Sequence, residues 1–405
     1  MKVAVIGGGA AGFFAAITAK ETHPEAHVII FEKSCKLLSK VKVSGGGRCN
    51  VTNGCSSISK LCRAYPRGGK SLKKVFSVFN TKHAMEWFES RGIPLVIQAD
   101  GCVFPVSQNS QSIIDCFLNE AKKIKIEIRR NHEIIALKEE GDLLELQFSD
   151  KNIDPFLSNK VIVTTGGSPK REGLHWLESL NHEIESPVPS LFSFNMPSEN
   201  ITDLKGIVID NALVSIQKMK IKAEGALLIT HWGMSGPAIL KLSSYGAREL
   251  HAANYTFNIQ VNWINQSNNE TVIDTLNQLV QQYGNKQLGN YRAFALPERL
   301  WLFLLKKCSL PQTKKWSELG KKNINKLCMQ LTNDCYKVEG KSTFKEEFVT
   351  CGGLSLKSVN LNTMQSKTVQ NLYFAGEVLD IDAITGGFNL QAAWTTGYIA
   401  GKLNT

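Results

Sequence analysis

The sequence predicts an α/β fold in which a parallel-sheet domain is interrupted by an inserted domain of β-strands and helices. Three observations lead to this prediction. A glycine-rich turn joins an apolar run to a small-residue helix at the start of the chain, and a second such turn occurs near its end. From about residue 190 the sequence changes character, with a series of strand-like runs followed by a series of helical ones. At 405 residues the chain suits two or three domains.

The first turn follows the apolar run Val3–Ile6, whose length and composition are typical of a buried parallel strand. Gly7, Gly9 and Gly12 then form the pattern G-x-G-x-x-G. In this pattern the first glycine permits a tight turn, and the second lets the backbone approach a pyrophosphate. The third lets the helix pack on the strand.

A second apolar run, His27–Phe31, ends at Glu32, which stands 20 residues after Gly12. A carboxylate at this distance accepts hydrogen bonds from a ribose. The free amides at the helix start, at Ala10 and Ala11, are expected to face the phosphates. Strand, glycines, helix, second strand and terminal acid together predict a dinucleotide site; the alternative is a glycine-rich turn in an unrelated α/β protein.

The C-terminal turn indicates FAD as the dinucleotide. Asn371–Glu377 is typical of a strand that runs into a turn, and Thr385–Gln391 leads into a helix of small residues. A nicotinamide dehydrogenase needs no second turn of this kind. A flavin needs one, because a helix N-terminus near the pyrimidine edge of its ring stabilises the negative charge that gathers there on reduction. The alternative for Gly386 and Gly387 is a plain turn at the start of a helix.

Residues 35–82 carry the whole excess of positive charge. The net charge is +11, and this segment holds eleven basic residues and no acidic one, so the rest of the chain balances at 36 basic and 36 acidic residues. An anionic partner would therefore meet this segment, and the alternative is a solvated basic loop. The eleven residues are Lys36, Lys40, Lys42, Arg48, Lys60, Arg63, Arg67, Lys70, Lys73, Lys74 and Lys82.

Several motifs together resemble one known family, the BaiN/RdsA-type NAD(P)/FAD-dependent oxidoreductases. The family includes aminoacetone oxidase-like flavoproteins and belongs to the glutathione-reductase-type class, and the resemblance spans nearly the whole chain. It implies bound FAD in a discontinuous Rossmann-like FAD-binding domain with an inserted domain, and it specifies no substrate. The motifs are Glu32-Lys33, Ser44–Asn53, Val103–Pro105, Thr164–Gly167, Thr230–Pro237 and Gly376–Asn389.

The predicted cofactor-binding residues come from both turns and from loops between them. The loop Ser44–Asn50 is glycine-rich and suits close approach of the backbone to the flavin and its phosphates, although Arg48 and Asn50 could equally be ordinary loop residues. The complete set is Gly7, Gly9, Ala10, Ala11, Gly12, Glu32, Lys33, Ser44, Gly45, Gly46, Arg48, Cys49, Asn50, Thr52, Asn53, Ile134, Thr165, Gly166, Gly167, Gly376, Glu377, Asp380, Gly386, Gly387, Asn389, Leu390 and Gln391.

Between the turns the sequence predicts smaller elements. A helix is expected over Thr81–Arg91, a hairpin at Leu95–Ile97 and Cys102–Phe104, and an antiparallel meander from runs at 124–128, 133–137 and 143–148. The prolines at 187 and 189 predict a domain boundary there. The expected domains are 1–189 and 350–405 for FAD binding and 190–349 for the insert, with a β-rich part to about 265 and a helical part at 266–332.

The insert is expected to cover the active site and select the substrate. His231 in its glycine-rich context is a candidate proton donor, and a structural histidine is the favoured alternative. Cys49 and Cys55 are not expected to form a redox disulfide, because five residues separate them. The ten cysteines show no zinc-type spacing, so we predict reduced thiols, no metal and a soluble, cytoplasmic protein without membrane contact.

The leading hypothesis is an FAD-dependent oxidoreductase that transfers hydride between the flavin and a small-molecule substrate or electron acceptor. NAD(P)H either acts as a transient co-substrate or is not used, since no second G-x-G-x-x-G indicates a separate domain for it. The alternatives are an FAD-dependent RNA-modifying enzyme or a nucleic-acid-binding flavoprotein that uses residues 35–82. Only Tyr65, Phe76 and Phe79 interleave with the basic residues, which favours small-molecule chemistry, and no protein partner is predicted.

Overall fold

The computed structural model describes residues 1–342 and 349–404. Its contacts divide the chain into two compact units, Met1–Ser190 with Phe344–Thr405, and Leu191–Thr343. Each unit has its own apolar core. Within the described ranges, no helix combines the length and apolar character needed to cross a bilayer.

The first unit is built on a mainly parallel sheet with helices and smaller antiparallel sheets around it. Its elements before the second unit are β1 (Lys2–Ile6), α1 (Ala10–Thr22), β2 (His27–Glu32), α2 (Ser39–Val43), β3 (Thr52–Asn53), α3 (Ile58–Arg63), α4 (Leu72–Val78), α5 (Thr81–Glu89), β4 (Leu95–Ile97), β5 (Cys102–Pro105), α6 (Ser110–Lys123), β6 (Glu127–Arg130), β7 (Ile134–Glu140), β8 (Leu143–Phe148), β9 (Phe156–Ser158), β10 (Lys160–Val163), α7 (His175–Glu178) and β11 (Ile184–Ser190).

The second unit combines an antiparallel sheet with helices, and the chain then returns to the first unit. The elements of the second unit are β12 (Ser193–Asn195), β13 (Val208–Ile216), β14 (Lys222–Ile229), β15 (Gly233–Ser235), α8 (Pro237–Tyr245), α9 (Ala247–Ala252), β16 (Thr256–Asn262), α10 (Asn269–Tyr283), α11 (Glu298–Lys307), α12 (Gly320–Thr332), β17 (Asp334–Glu339) and β18 (Lys341–Ser342). The returning elements are β19 (Val349–Leu354), β20 (Val359–Asn360), β21 (Gln365–Ser366), β22 (Leu372–Phe374) and α13 (Phe388–Gly401).

The main sheet has the strand order β20-β21-β22-β10-β1-β2-β6, and its last five strands are parallel. β1 lies inside it, so Val3 and Val5 are fully buried, as their apolar run predicts. Parallel strands place their carboxyl ends at one edge, and the turns after β1, β2 and β10 therefore meet there. The predicted α/β fold class is confirmed.

The small antiparallel sheets differ from the predicted meander. The run at 124–128 was expected in it, but β6 pairs in parallel with β2 at the edge of the main sheet. The third strand of the antiparallel sheet is instead β9, which pairs with β8. The physical reason is that α6 supplies the crossover that a parallel neighbour needs, which local alternation does not reveal. The hairpin of β4 and β5 is confirmed, and the predicted helix at 81–91 ends two residues earlier as α5.

The second unit also mixes strands and helices along the chain more than the sequence predicts. The stretch predicted as β-rich contains α8 and α9, and β17 and β18 join the sheet after the helices. β17 pairs with β16 along six residues, so the sheet closes only when the chain has passed through α10, α11 and α12.

A buried histidine makes the stability of the first unit depend on pH. His182 is 4% exposed; its Nε2 lies 2.8 Å from the Ser366 hydroxyl and its Nδ1 lies 3.1 Å from the Leu177 carbonyl oxygen. Burial lowers the pKa of His182 from its ordinary value of 6.5. The folded state therefore favours the neutral imidazole.

Candidate functional site

The three glycines of the first turn have different surroundings. A Cβ on Gly7 would lie 2.5 Å from the Thr164 carbonyl oxygen, and one on Gly12 would lie 1.9 Å from that of Gly7. A Cβ on Gly9 would meet nothing within 4 Å. Gly7 and Gly12 are therefore required for packing, whereas Gly9 borders open space in front of α1.

The N-terminus of α1 is suited to an anion. No side chain caps the helix at Gly9, and its first turn contains no acidic residue. Ala10 and Ala11 stand in that first turn, so their amides lack intrahelical acceptors. Uncapped amides and the positive end of the helix dipole together attract a phosphate.

Glu32 lies at the carboxyl end of β2, beside the same turn. Its Oε2 accepts a hydrogen bond from the Gly8 amide at 2.8 Å, and its Oε1 accepts from the Ser34 amide at 2.9 Å. The Ser34 hydroxyl also donates to Oε1 at 2.9 Å. A carboxylate offers about four acceptor positions, so about one is left for a ribose hydroxyl. Lys33 follows Glu32 in the chain and is exposed. Ile134 is the first residue of β7, and two residues before it the His132 amide donates a hydrogen bond to the Glu32 carbonyl oxygen.

The loop from Ser44 to Asn50 is held in a tight arch. Gly45, Gly46 and Gly47 all have positive φ, and a Cβ on either of the last two would meet nothing within 4 Å. The arch is closed by the Cys49 amide, which donates to the Ser44 carbonyl at 2.9 Å. Its outer surface is therefore bare backbone, a property that suits contact with a flat ring or a phosphate.

The side chains of this loop face its neighbours. The Arg48 guanidinium lies over the Phe104 ring at 4.1 Å, and Nε donates to the Gly45 carbonyl. Asn50 accepts from the Val103 amide through Oδ1 at 3.2 Å. Burial raises the pKa of Cys49 to about 12, so it is a neutral thiol near pH 7 and a poor nucleophile.

The C-terminal turn lies against this loop region. A Cβ on Gly387 would be 2.3 Å from the Thr52 carbonyl oxygen, and its φ of +84° is one that favours glycine. The Asn53 amide donates to the Gly386 carbonyl at 3.1 Å. The Thr52 hydroxyl donates to Gln391 Oε1 at 2.5 Å. The fold thus joins residues more than 300 positions apart in the sequence.

Polar side chains hold the start of α13 in place. The Asn389 amide both accepts from the backbone N–H of Ala383 at 2.9 Å and donates to its carbonyl at 3.0 Å. Gln391 is fully buried, and its Nε2 donates to the Thr395 hydroxyl at 2.9 Å. These contacts position the helix, whereas Leu390 is partly exposed. No side chain caps α13, and its first turn has no acidic residue.

The two uncapped helices run side by side in the same direction. A Cβ on Gly397 would lie 2.9 Å from the Ala11 carbonyl oxygen, and one on Gly401 would lie 2.5 Å from that of Ala15. Small residues therefore permit close contact between α1 and α13. Since α13 begins at Phe388, its N-terminus lies about 12 Å beyond that of α1, at a rise of 1.5 Å per residue.

A third group of predicted residues surrounds the strands β10 and β22. Glu377 accepts from the Thr350 amide at 2.9 Å and pairs with Lys40 at 2.6 Å. Asp380 accepts from the Gly352 amide at 3.0 Å. Thr165 is exposed and Gly376 is buried. A Cβ on Gly166 would meet no atom within 4 Å, whereas a Cβ on Gly167 would lie 2.8 Å from Glu377 Oε1.

Sequence reasoning missed a set of contacts that fasten α3 and α4 to the C-terminal turn. The Tyr65 hydroxyl donates to the Phe388 carbonyl at 2.7 Å. Arg67 forms a buried ion pair with Asp382, which also accepts from Ser190 at 2.9 Å. No local pattern identifies such partners, because each lies more than 190 residues from the other in sequence.

His231 lies in the second unit, between β14 and β15. It is exposed, and its ring meets that of Trp232 edge to face at 4.4 Å. After β15 the chain enters α8, with Gly236 as its N-cap and Pro237 as its first residue.

The sequence profile of the HI0933-like protein Rossmann domain matches residues 1–403. The chain belongs to this family. It is an FAD-dependent oxidoreductase with a Rossmann-type nucleotide-binding fold, of the BaiN/RdsA type that the sequence motifs resemble.

Two curated relatives match almost end to end. The chain is 25% identical over 409 residues to a 3-dehydro-bile acid delta(4,6)-reductase of Clostridium scindens, covering 99% of this chain and 98% of that protein. It is also 25% identical over 408 residues to the ribosomal RNA dihydrouridine synthase of Escherichia coli, covering 97% and 95%. Among solved structures, a 3-ketosteroid-Δ4-(5α)-dehydrogenase from Rhodococcus jostii RHA1 aligns with a TM-score of 0.52 at 11% identity, over 98% of this chain and 95% of that chain. This last similarity shows the fold.

The residues of the first unit fit FAD. The cofactor carries a pyrophosphate and a ring system at opposite ends of its ribityl chain, and the two uncapped helix N-termini are offset along one direction. Open space at Gly9, Gly46 and Gly166 borders bare backbone. Each end of the cofactor that gathers negative charge would thus find a positive helix terminus.

Proposed function

We propose that this chain uses its FAD to reduce a carbon–carbon double bond conjugated to a carbonyl group. The observation that carries this proposal is the chemistry shared by the two curated relatives, each matched over at least 97% of this chain. One is named for reducing the double bonds of a 3-oxo bile acid, and the other for adding two hydrogens to uridine. Both substrates are alkenes activated by a neighbouring carbonyl.

We further propose how the chain holds the cofactor. The amides of Gly9, Ala10 and Ala11 would bind the pyrophosphate, and Glu32 would accept from the ribose of the adenosine half. Gly7 and Gly12 would act by packing, since the space beside each is filled. Support comes from the uncapped start of α1 and from the free acceptor capacity of Glu32.

The flavin end would lie between the loop at 44–50 and the start of α13. Gly45, Gly46 and the Cys49 backbone would border the ring, with Gly166 on a neighbouring turn. Asn53, Asn389 and Gln391 would position the helix N-terminus. The side chain of Asn53 bonds to Gly386 and that of Asn389 to Ala383, both before the helix, and Gln391 accepts from Thr52. Among the other predicted residues, Lys33, Arg48, Thr165, Glu377 and Asp380 would shape the surrounding walls.

When bound in its reduced form, FAD would supply a hydride to the carbon β to the carbonyl and become oxidised, and the carbon next to the carbonyl would take up a proton from solvent. The chain contributes electrostatics to this chemistry: the dipole of α13 favours negative charge at the pyrimidine edge. The Cys49 thiol stays protonated, so it does not compete as a nucleophile. NAD(P)H as the source of the electrons belongs to the proposal and is tested with it.

The test is anaerobic reoxidation of the reduced holoprotein by a panel of acceptors. A steroid 4,6-dien-3-one and a uridine-containing oligonucleotide represent the two kinds of activated alkene, and the fully saturated ketosteroid is the control. At least one activated alkene should restore the oxidised flavin spectrum, while the saturated ketone should not. Reoxidation by oxygen alone, with none of the alkenes active, would overturn the proposal. Separate mixing with NADH and NADPH, followed by flavin bleaching, identifies the donor.

A further inference from the structure

The basic segment contains cations that form ion pairs and cations that do not. Lys40 and Arg67 pair with carboxylates of the C-terminal segment, and Lys82 pairs with a glutamate of its own helix. Five other cations are exposed on α3, on α4 and on the turn between them, and no ion pair involves them within 1–342 and 349–404. We call them the α3–α4 basic face: Lys60, Arg63, Lys70, Lys73 and Lys74.

The two helices hold these five charges together. A Cβ on Gly69 would lie 2.3 Å from the Cys62 carbonyl oxygen, so the turn before α4 packs on the end of α3. The Lys73 amide donates to the Lys70 carbonyl oxygen at 3.5 Å, which places these two cations one turn apart. Burial raises the pKa of the Cys62 thiol, and the Lys73 ammonium opposes that rise, so α4 presents positive charge toward α3.

One apolar side chain stands beside the charges. Val78, the last residue of α4, is 51% exposed and follows Lys74 by four residues, one turn along the same side of the helix. The other large apolar side chains of α4, Leu72, Val75 and Phe76, are buried. Protein interfaces combine apolar contact with a polar, solvated rim, and encounters between electron carriers use the smallest of them. The face has this composition.

The kind of cation favours a partner rich in carboxylates over a phosphate backbone. Four of the five cations are lysines, whose ammonium is a strongly hydrated point charge, whereas the planar fork of arginine suits nucleic-acid phosphates better. The aromatic side chains of residues 58–78 are Tyr65 and Phe76, and both are buried, so they offer no exposed ring on which a base could stack. An acidic protein that binds transiently fits the face better than a nucleic acid.

An aromatic path leads from this face toward the flavin end of the site. The ring of Phe76, beneath α4, lies 5.3 Å from that of Tyr65, and the Tyr65 ring lies 6.2 Å from that of Phe388. The Tyr65 hydroxyl also donates to the Phe388 carbonyl oxygen at 2.7 Å. Phe388 is the first residue of α13. Because electron tunnelling weakens steeply with distance and with gaps in packing, this continuous contact suits the face to electron entry.

We infer that the α3–α4 basic face docks an acidic electron-carrier protein, which reduces the flavin one electron at a time. This inference rests on the proposed function, which consumes two electrons in each turnover and places the flavin end at the start of α13. Two reduced carriers each lose one electron, and the oxidised flavin gains both electrons and one proton from solvent, so that it can then donate a hydride. The sequence alone predicts no protein partner, because the exposure of Val78 and the contacts of Tyr65 become visible only in the structure.

Charge reversal at two matched places tests the docking. Lys73 and Lys74 are the second and third residues of α4, and Lys321 and Lys322 are the second and third residues of α12 in the other unit, also exposed. The double variants K73E/K74E and K321E/K322E change net charge equally, and both place acids in a first helical turn, where they favour folding. Circular dichroism and the bound flavin spectrum check that each holoprotein is folded and loaded.

The readout is the rate at which a reduced [2Fe–2S] ferredoxin, an acidic carrier, bleaches the flavin of the oxidised holoprotein without oxygen. In the parent the second-order rate constant should fall as salt rises from about 10 mM to about 0.5 M, because salt screens the steering of opposite charges. At about 0.1 M salt, where the Debye length is about 10 Å, K73E/K74E should lower the rate constant at least about tenfold. K321E/K322E should stay within about twofold of the parent.

A second pair of variants tests the apolar contact. V78S shortens the exposed side chain of the face, and V208S does the same at the start of β13 in the other unit, where Val208 is 48% exposed. V78S should raise the dissociation constant of oxidised ferredoxin about three- to tenfold, the loss expected for one partly buried valine. V208S should leave that constant unchanged, and equal constants in the two variants would overturn the inference.

The reaction of the reduced flavin with substrate separates this inference from the proposed function. In every variant, a small conjugated enone should reoxidise chemically reduced flavin at the rate of the parent. If the enone reacts but ferredoxin bleaches no flavin, or bleaches the parent and K73E/K74E alike, the inference fails alone. Binding of an RNA hairpin that K73E/K74E abolishes, with no bleaching by ferredoxin, would assign the face to nucleic acid and overturn the inference. If ferredoxin reduces the flavin through this face but no activated alkene reoxidises it, the proposed function fails and the docking of the carrier stands.

Discussion

Replacing Gly9 by valine is expected to separate cofactor binding from folding. Gly9 has φ −95° and ψ −168°, an extended conformation that any residue adopts, and a Cβ there would meet nothing within 4 Å. The variant should therefore fold, at a cost of about 1 kcal/mol or less for a poorer N-cap. The branched side chain would occupy the space in front of the first amides of α1.

The loss of FAD affinity follows from the hydrogen bonds that this side chain would block. Each backbone hydrogen bond to a charged group contributes about 1.5–3 kcal/mol, so two lost bonds weaken FAD binding by about 3–6 kcal/mol. At about 1.4 kcal/mol per factor of ten, the dissociation constant should rise roughly 10²- to 10⁴-fold. Fluorescence titration of the apoprotein with FAD measures it.

Gly12→Val provides the contrast. Its Cβ would lie 1.9 Å from the Gly7 carbonyl oxygen, a backbone atom that cannot move aside cheaply. This variant should lose at least about 3 kcal/mol of unfolding free energy, measured by urea denaturation of the apoprotein. The reasoning is refuted if Gly9→Val binds FAD within a factor of about three of the parent, or if its apoprotein is as unstable as that of Gly12→Val.

Four further outcomes are expected. Glu32→Ala should weaken FAD binding by about 1.5–3 kcal/mol through loss of a charged acceptor, with partial recovery in Glu32→Gln; equal titration curves for all three proteins would contradict this. Asn389→Ala removes the two hydrogen bonds that this side chain makes to the Ala383 backbone before α13, so a dye-coupled titration should give a lower flavin reduction potential. An unchanged potential at full occupancy would show that the N-terminus of α13 does not stabilise the reduced flavin. Because burial lowers the pKa of His182 from 6.5, its contribution to stability is present above pH 6.5 and is lost as pH falls below it; urea unfolding across that range should show a shallower pH dependence in His182→Gln, and an identical dependence would be inconsistent with a buried neutral imidazole. With its pKa raised to about 12, Cys49 should resist a disulfide reagent at neutral pH while exposed Cys35 reacts, and rapid labelling of native Cys49 would argue for an activated thiol.

The local parts of the fold are predictable from the sequence because short-range physics determines them. The run before Gly7 forms β1, and Glu32 ends β2, as their spacing predicts. Asn80 caps α5 by accepting from the Lys82 amide, so the start of that helix is also readable. Each of these features depends on residues within a few positions of one another.

The long-range parts are not predictable in the same way. The edge position of β6 depends on a pairing with β2 almost 100 residues away, and alternation within the run at 124–128 is equally compatible with a hairpin. Tyr65 and Arg67 were visible only as members of a basic segment, yet they bond to Phe388 and Asp382. These partners lie at and just before the start of α13, a helix that Gly397 and Gly401 allow to pack closely on α1.

The measurement that tests the central claim most directly is product analysis of a single turnover. The FAD-loaded protein is reduced without oxygen and mixed with a substoichiometric conjugated enone or uridine-containing RNA, and the product is weighed by mass spectrometry. The account predicts that each equivalent of flavin reoxidised yields one equivalent of product heavier by two hydrogens, saturated at the double bond conjugated to the carbonyl. Flavin reoxidation with the double bond intact, or a product reduced at the carbonyl instead, would contradict it.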